Sequence, residues 1–122
     1  MDLQELRVGD WVYVKTPINN EKLPCKVIKF DTERGIVLAG LTWSVVEDLS
    51  GIPLTEETLV RNGWIKKDEG YCTPCPFSHL TLEPNGKRWK VCWCKNHLRT
   101  IFDVHELQNL LWALGKDDSL KY

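Results

Sequence analysis

The stretch Val8-Gly9-Asp10-Trp11-Val12-Tyr13-Val14 places a glycine turn directly before a run of β-branched and aromatic residues. Such residues favour a pleated, buried surface, so the sequence predicts a first strand at residues 11–14. Further apolar runs at residues 25–30, 36–39 and 41–46 are separated by turn-forming segments. Four short strands within about 45 residues favour a small curved sheet, for which an SH3-like barrel is one form.

The middle of the chain carries the signals of a short helix. Thr55 is a favoured N-cap, and Glu56 and Glu57 place negative charge in the first turn. Asn62-Gly63 is typical of a helix end, because glycine tolerates the left-handed conformation found there. The sequence therefore predicts a helix of about two turns between them.

A β-hairpin follows the helix. Pro84-Asn85-Gly86-Lys87 lies between two alternating runs, and Asn-Gly in that setting is a strong hairpin signal. A turn centred on Asn85-Gly86 places Leu82 opposite Trp89. Thr100 to Phe102 is a candidate for one further strand.

The sequence of the C-terminal segment predicts a capped helix that packs on the sheet. Asp103 is placed to cap it, Glu106 completes a capping-box pair, and Gly115 ends it. The apolar stripe of this helix comprises Val104, Leu107, Leu110, Leu111 and Leu114. The predicted class is α+β, as one domain over residues 1–122, with a β-rich part at 1–50 and a helix-hairpin-helix part at 51–122.

Size and composition favour an ordinary globular chain. It has 122 residues, 43% of them hydrophobic, and a net charge of -1, which gives no global case for nucleic acid or membrane binding. The N-terminus lacks the features of a signal peptide, and no apolar run is long enough to span a membrane. Five cysteines without an export signal predict reduced thiols. We therefore expect a cytoplasmic protein with no membrane partner.

Cysteines and histidines in the second half are candidate zinc ligands, because paired thiolates at short spacing are common zinc ligands. The cluster comprises Cys72, Cys75, Cys92, Cys94 and His97. The predicted hairpin register would project Cys75, His79, Cys92 and Cys94 from one face. Free cysteine is also among the most commonly buried residues, so the sequence favours packing and no cofactor, with zinc as the alternative.

A basic and aromatic stretch covers residues 87–99. Cations attract phosphates and exposed aromatic rings stack on bases, so this pattern suits single-stranded nucleic acid. Strand alternation qualifies the interpretation, because tryptophans and cations would point to opposite faces. A hairpin with core tryptophans is therefore the favoured alternative. The candidate residues are Lys87, Arg88, Trp89, Lys90, Trp93, Lys95 and Arg99.

The last helix carries a third candidate site. His105, Gln108 and Trp112 fall outside its leucine stripe. An aromatic flanked by hydrogen-bonding groups is typical of a protein-interface hot spot, although a wider core-facing surface fits equally well. Six tryptophans exceed what the core of one small domain needs, which favours an interaction surface.

Two passages of the sequence resemble a family of small proteins. The first is Ile52-Pro53-Leu54-Thr55-Glu56-Glu57 running to Trp64, and the second is Val104-His105-Glu106-Leu107-Gln108-Asn109-Leu110 running to Gly115. That family occurs in gut Bacteroidales, their phages and their mobile elements, and has no established activity. With Leu6-Arg7-Val8-Gly9-Asp10 the resemblance spans the chain loosely. Trp112 stands where the family has Phe, and members generally lack the cysteine cluster. The resemblance implies a phage or mobile-element context.

The leading functional hypothesis is a non-catalytic interaction protein. It would bind a host or phage protein, as a counter-defence or host-takeover factor does. The first alternative is a nucleic-acid-binding module that uses residues 87–99, and the second is a zinc-stabilised small domain. The oligomeric state is open.

Overall fold

A computed structural model describes most of the chain as two compact units. The described residues are 1–68, 70–73, 80–94, 96–115 and 120–122. Unit 1 combines residues 1–52 with 103–120 and Tyr122, and unit 2 comprises residues 53–102 with Lys121. Antiparallel strands predominate and two α-helices accompany them, so the chain is α+β. That both units form one domain stays a prediction.

The sheet of unit 1 has five antiparallel strands. They are β1 (Trp11–Lys15), β2 (Lys22–Asp31), β3 (Ile36–Ala39), β4 (Thr42–Val45) and β5 (Leu49–Gly51). The first four confirm the strands predicted from sequence. β5 was not predicted; it follows a 3-10 helix at Val46–Asp48 and pairs with β1. The strand order β4-β3-β2-β1-β5 leaves β4 and β5 as edges, and the described residues form no closed barrel.

One face of this sheet forms the hydrophobic core of unit 1. Val12 and Val14 alternate along β1 with half-buried residues, as a strand with one buried face requires. Val37 and Ala39 repeat the pattern on β3. The buried core residues are Leu6, Val12, Val14, Val27, Val37, Ala39 and Leu49.

The second helix, α2 (Val104–Ala113), belongs to unit 1 and contacts β1. The Asp103 N–H donates to the Glu106 carboxylate at 3.1 Å, which confirms the predicted capping pair. Four residues of the predicted stripe are buried and Leu114 is half-buried. Among the described residues, neither α-helix has the length and apolar content to cross a membrane.

Unit 2 is built on a second antiparallel sheet. Its strands are β6 (Ile65–Lys67), β7 (Gly70–Cys72), β8 (Leu80–Asn85), β9 (Arg88–Trp93) and β10 (Asn96–Ile101), in the order β10-β9-β8-β7-β6. The first helix, α1 (Glu56–Arg61), begins at the predicted cap, where Thr55 Oγ1 accepts the Thr58 N–H at 3.3 Å. The strands β6 and β7 were not predicted from sequence.

The predicted hairpin exists, but its predicted register is wrong. Asn85 pairs with Arg88, so the two loop residues are Gly86 and Lys87 rather than Asn85 and Gly86. Leu82 consequently lies opposite Val91 instead of Trp89. Only Gly86 adopts a positive φ, of 64°, among the loop residues. A two-residue turn centred on Gly86-Lys87 needs a positive φ at its first central residue alone, which glycine supplies. A turn centred on Asn85-Gly86 would need a positive φ at both residues.

Candidate protein-interaction surface

An exposed tryptophan stands on the outer side of α2. Trp112 is 60% exposed, although large aromatic side chains usually bury most of their surface. The guanidinium carbon of Arg7 lies 4.2 Å from the centroid of the Trp112 ring, within the range of a cation–π interaction. Val8, the next residue along the chain, is also exposed. We call Arg7, Val8 and Trp112 the Trp112 surface.

A buried amide holds the backbone beneath this surface. Gln108 is 2% exposed, one helical turn before Trp112. Its Oε1 accepts the Trp11 N–H at 2.9 Å, and its Nε2 donates to the Gly9 carbonyl at 2.9 Å. One side chain therefore pairs with both a backbone donor and a backbone acceptor of the half-buried residues Trp11 and Gly9.

A second amide extends the attachment of α2 to the N-terminal segment. Asn109 Nδ2 donates to the Glu5 carbonyl at 2.7 Å. Nε2 of the buried His105 lies 3.9 Å from the Glu5 carboxylate. Successive polar residues of α2 thus contact the segment from Glu5 to Trp11. The helix fixes this segment by directed contacts as well as by apolar packing.

A buried carboxyl group closes the turn that presents Arg7. The Arg7 N–H donates to the Asp10 carboxylate at 2.8 Å. Burial raises the pKa of Asp10 from its usual 3.8 to about 6, although the Arg7 N–H and the charges of His105 and Arg7 oppose that shift. Desolvation disfavours the charged form, and it outweighs the neighbouring donors and cations here.

Asp103, the N-cap of α2, lies in a similar electrostatic setting. Burial raises the pKa of Asp103, and the carboxylates of Glu106 and Glu5 raise it further, while His105 lowers it. The N-terminal end of α2 therefore concentrates several acids around His105. Gly51 passes so close that a Cβ there would overlap the Asp103 carboxylate.

The residues predicted on α2 divide into two groups. Trp112 is exposed, whereas His105 and Gln108 are buried, so those two belong to the core-facing surface that the sequence left as an alternative. The sequence did not indicate Arg7 as a part of the site, or Asp10 as the residue that holds its turn. Residues of the passages Leu6–Asp10 and Val104–Gly115, both of which the sequence singled out, contact one another.

The basic stretch in unit 2 exposes its cations to solvent but buries its tryptophan Trp89. Lys87, Arg88, Lys90 and Arg99 are exposed, and Lys95 lies outside the described residues. Trp89 is 5% exposed, and its Nε1 donates to the Leu54 carbonyl at 2.8 Å. Trp93 is half-buried. Because Trp89 is in the core, it offers no ring face on which a base could stack.

The cysteine cluster is only partly described. Cys75 and His79 lie outside the described residues, while Cys72, Cys92 and His97 occupy one row of the sheet with Thr81 between the two cysteines. Cys94 lies beyond β9 in a turn, with φ of 49°, and is exposed. The prediction that it shares a strand face with Cys92 is therefore wrong. The described part of the chain contains no group of three or more His, Cys, Asp or Glu residues that could hold a metal ion.

Comparisons with protein families, curated proteins and solved structures find no match to this chain.

Proposed function

We propose that this chain is a non-catalytic protein-binding module whose contact residue is Trp112. The observation that carries the proposal is the exposed indole beneath the Arg7 guanidinium. Tryptophan and arginine are among the residues that contribute most binding energy at protein interfaces. An indole with this exposure leaves apolar surface in water, and an apolar pocket on a partner would remove it.

The hydrogen bonds that hold the N-terminal segment beside Trp112 support the proposal. Binding is weakened when side chains and loops must be ordered on contact, so a surface that is already ordered binds more tightly. Gln108 and Asn109 fix the neighbouring N-terminal segment through three side-chain hydrogen bonds of 2.7–2.9 Å. The Arg7 side chain in turn rests on the Trp112 ring.

The family resemblance suggests where a partner would be found. We infer a phage or mobile-element protein that acts in the cytoplasm of a Bacteroidales host and binds a host or phage protein. Counter-defence and host takeover are the roles in which small non-catalytic proteins of this origin act by binding.

The test compares captured proteins across matched variants. Immobilised wild-type protein, Trp112→Ala and the control Ile18→Ala are exposed to Bacteroidales lysate with and without phage infection. Ile18 is an exposed apolar side chain of unit 1 outside the Trp112 surface. We expect a partner retained by wild type and Ile18→Ala but reduced at least about tenfold by Trp112→Ala, since a hot spot contributes ~2 kcal/mol or more. Titration of the purified partner must reproduce that ratio, and equal affinity for Trp112→Ala would reject the proposal.

Nucleic-acid binding is the second candidate function. Lys87, Arg88 and Lys90 are all exposed on one hairpin, which suits contacts with phosphates. With Trp89 buried, such binding would depend on charge and fall steeply with salt. A gel-shift assay with single-stranded DNA at low salt tests this function. The double variant Lys87→Glu/Lys90→Glu should lose the shift, whereas the control Lys15→Glu, at an exposed lysine of unit 1, should keep it. Absence of any wild-type shift would exclude it.

Zinc binding by the set Cys72, Cys75, Cys92, Cys94 and His97 is a third candidate. Within this set, Cys92 and His97 lie opposite each other on β9 and β10. Metal analysis of the purified protein should find about one equivalent of zinc if the candidate is correct, and chelation should then unfold unit 2. A metal-free protein that folds would exclude it.

We also propose that unit 1 is related to SH3-like barrels. The return of β5 to pair with β1, which also pairs with β2, supports this relation, because small barrels place first and last strands together. An experimental structure in which β2 bends to join both halves of a closed sheet would establish it.

A further inference from the structure

The edge strand β4 of unit 1 exposes two apolar side chains and carries no charge. Trp43 is 45% exposed and Val45 is 44% exposed. Residues 36–46, which include β3, β4 and their connecting turn, contain no charged residue and no proline. Natural edge strands usually carry lysine, proline or a bulge that prevents pairing with another chain. β4 has none of these features.

The backbone of β4 is oriented to accept another strand. Gly40 and Leu41 form a two-residue turn, so Ala39 and Thr42 are the hydrogen-bonded pair that closes the hairpin. Hydrogen-bonded and non-hydrogen-bonded pairs alternate along antiparallel strands. Trp43 and Val45 therefore turn their N–H and C=O groups away from β3, toward the open edge.

The other edge strands among the described residues are short or guarded. β5 has only three residues. β6 is equally short and contains Lys66 and Lys67. β10 is interrupted by a register shift between His97 and Arg99. Among the described edge strands, β4 is thus the one that combines exposed apolar side chains with an uncharged, regular strand.

We propose that β4 pairs with β4 of a second copy of this chain to form an antiparallel dimer. Two-fold symmetry that places Ser44 beside the partner's Ser44 also places Trp43 opposite the partner's Val45. Val45 then lies opposite the partner's Trp43, and the outward backbone groups of these residues meet. Aromatic and β-branched residues pair favourably across strands. The edge is therefore complementary to itself, with apolar side chains opposite apolar side chains and no charge on either side.

Amide exchange in the wild-type protein tests the pairing directly. Raising the concentration from low to high micromolar should slow exchange at Trp43 and Val45, whose amides point to the partner. The amides of Thr42 and Ser44, which point to β3, should keep their rates. Sedimentation velocity over the same range should show a shift from monomer to dimer.

A lysine placed on the edge strand β4 tests the pairing, and the same substitution on another exposed valine serves as its control. Val45→Lys should weaken the dimer about tenfold, because each dimer loses two Trp–Val pairs. Val60→Lys, on the exposed face of α1, makes the same change elsewhere and should leave the dimer intact. A wild-type protein that stays monomeric with concentration-independent exchange at Trp43 and Val45 would overturn the proposal. So would a dimer that Val45→Lys does not weaken, or an edge protected only when another protein is added.

Discussion

Replacing Gln108 by alanine tests the attachment of α2 to the N-terminal segment. The change removes two hydrogen bonds of 2.9 Å and leaves the Trp11 N–H and the Gly9 carbonyl without their partner. A buried polar group left unsatisfied costs about 1–3 kcal/mol, and the lower end applies to these two groups because Trp11 and Gly9 are half-buried. We therefore expect a loss of about 2 kcal/mol, roughly a sixth of the ~12 kcal/mol typical for a chain of this length.

Equilibrium urea unfolding measures this loss. Gln4→Ala is the matched control, because it makes the same change at an exposed glutamine of the N-terminal segment. Gln108→Met keeps most of the side-chain volume without the amide, so it separates lost hydrogen bonds from a cavity. A loss of less than about 1 kcal/mol in Gln108→Ala, or a loss no larger than that of Gln4→Ala, would show that the two hydrogen bonds do not stabilise the fold. So would a Gln108→Met variant as stable as wild type.

Two further changes test the surroundings of this attachment. Burial raises the pKa of Asp10 from 3.8 to about 6, so between these pH values the folded state keeps a proton that the unfolded chain releases. The contribution of this proton to the free energy of unfolding is therefore fully present below about pH 4 and is lost as pH rises through about 6. The stability of Asp10→Asn relative to wild type should therefore grow by about 2 kcal/mol between about pH 4 and 7, as measured by urea unfolding at each pH; a flat difference would contradict the shift. Gly51→Ala should cost about 2 kcal/mol, since its Cβ overlaps the Asp103 carboxylate and disrupts the cap of α2. Circular dichroism melting checks the latter, and an unchanged melting temperature for Gly51→Ala would refute it.

Local signals in the sequence predicted most of the larger elements. Alternating apolar residues located β1 to β4, and capping residues located the starts of both α-helices, because these patterns depend on neighbours close in sequence. The short strands β5, β6 and β7 have three residues each. Such segments are too short to show an alternating pattern. β5 forms by pairing with the longer β1 and β7 by pairing with the longer β8, and β6 then pairs with β7.

The candidate site was only partly predictable, for a different physical reason. Trp112 was recognised because it falls outside the leucine stripe of its own helix. Gln108 falls outside that stripe as well, but its partners are Gly9 and Trp11, 99 and 97 positions away in the chain. Helical periodicity cannot show whether a polar residue meets solvent or a distant backbone group. The hairpin register likewise depended on the φ of Gly86, which the Asn-Gly pair leaves ambiguous.

The discontinuity of unit 1 has a consequence for how the chain acquires its structure. Unit 2 is nearly continuous, and its successive strands pair with their neighbours, so its contacts need only short loops to close. Unit 1 joins residues 1–52 to residues 103–120, and closing so long a loop carries a larger entropic cost and slows folding. During synthesis the segment around Gly9 and Trp11 must wait, with its amide partner absent, until α2 has left the ribosome. A chain cut after Phe102 would retain every strand of both sheets yet lack the helix that fixes this segment, and it would be exposed to proteolysis there.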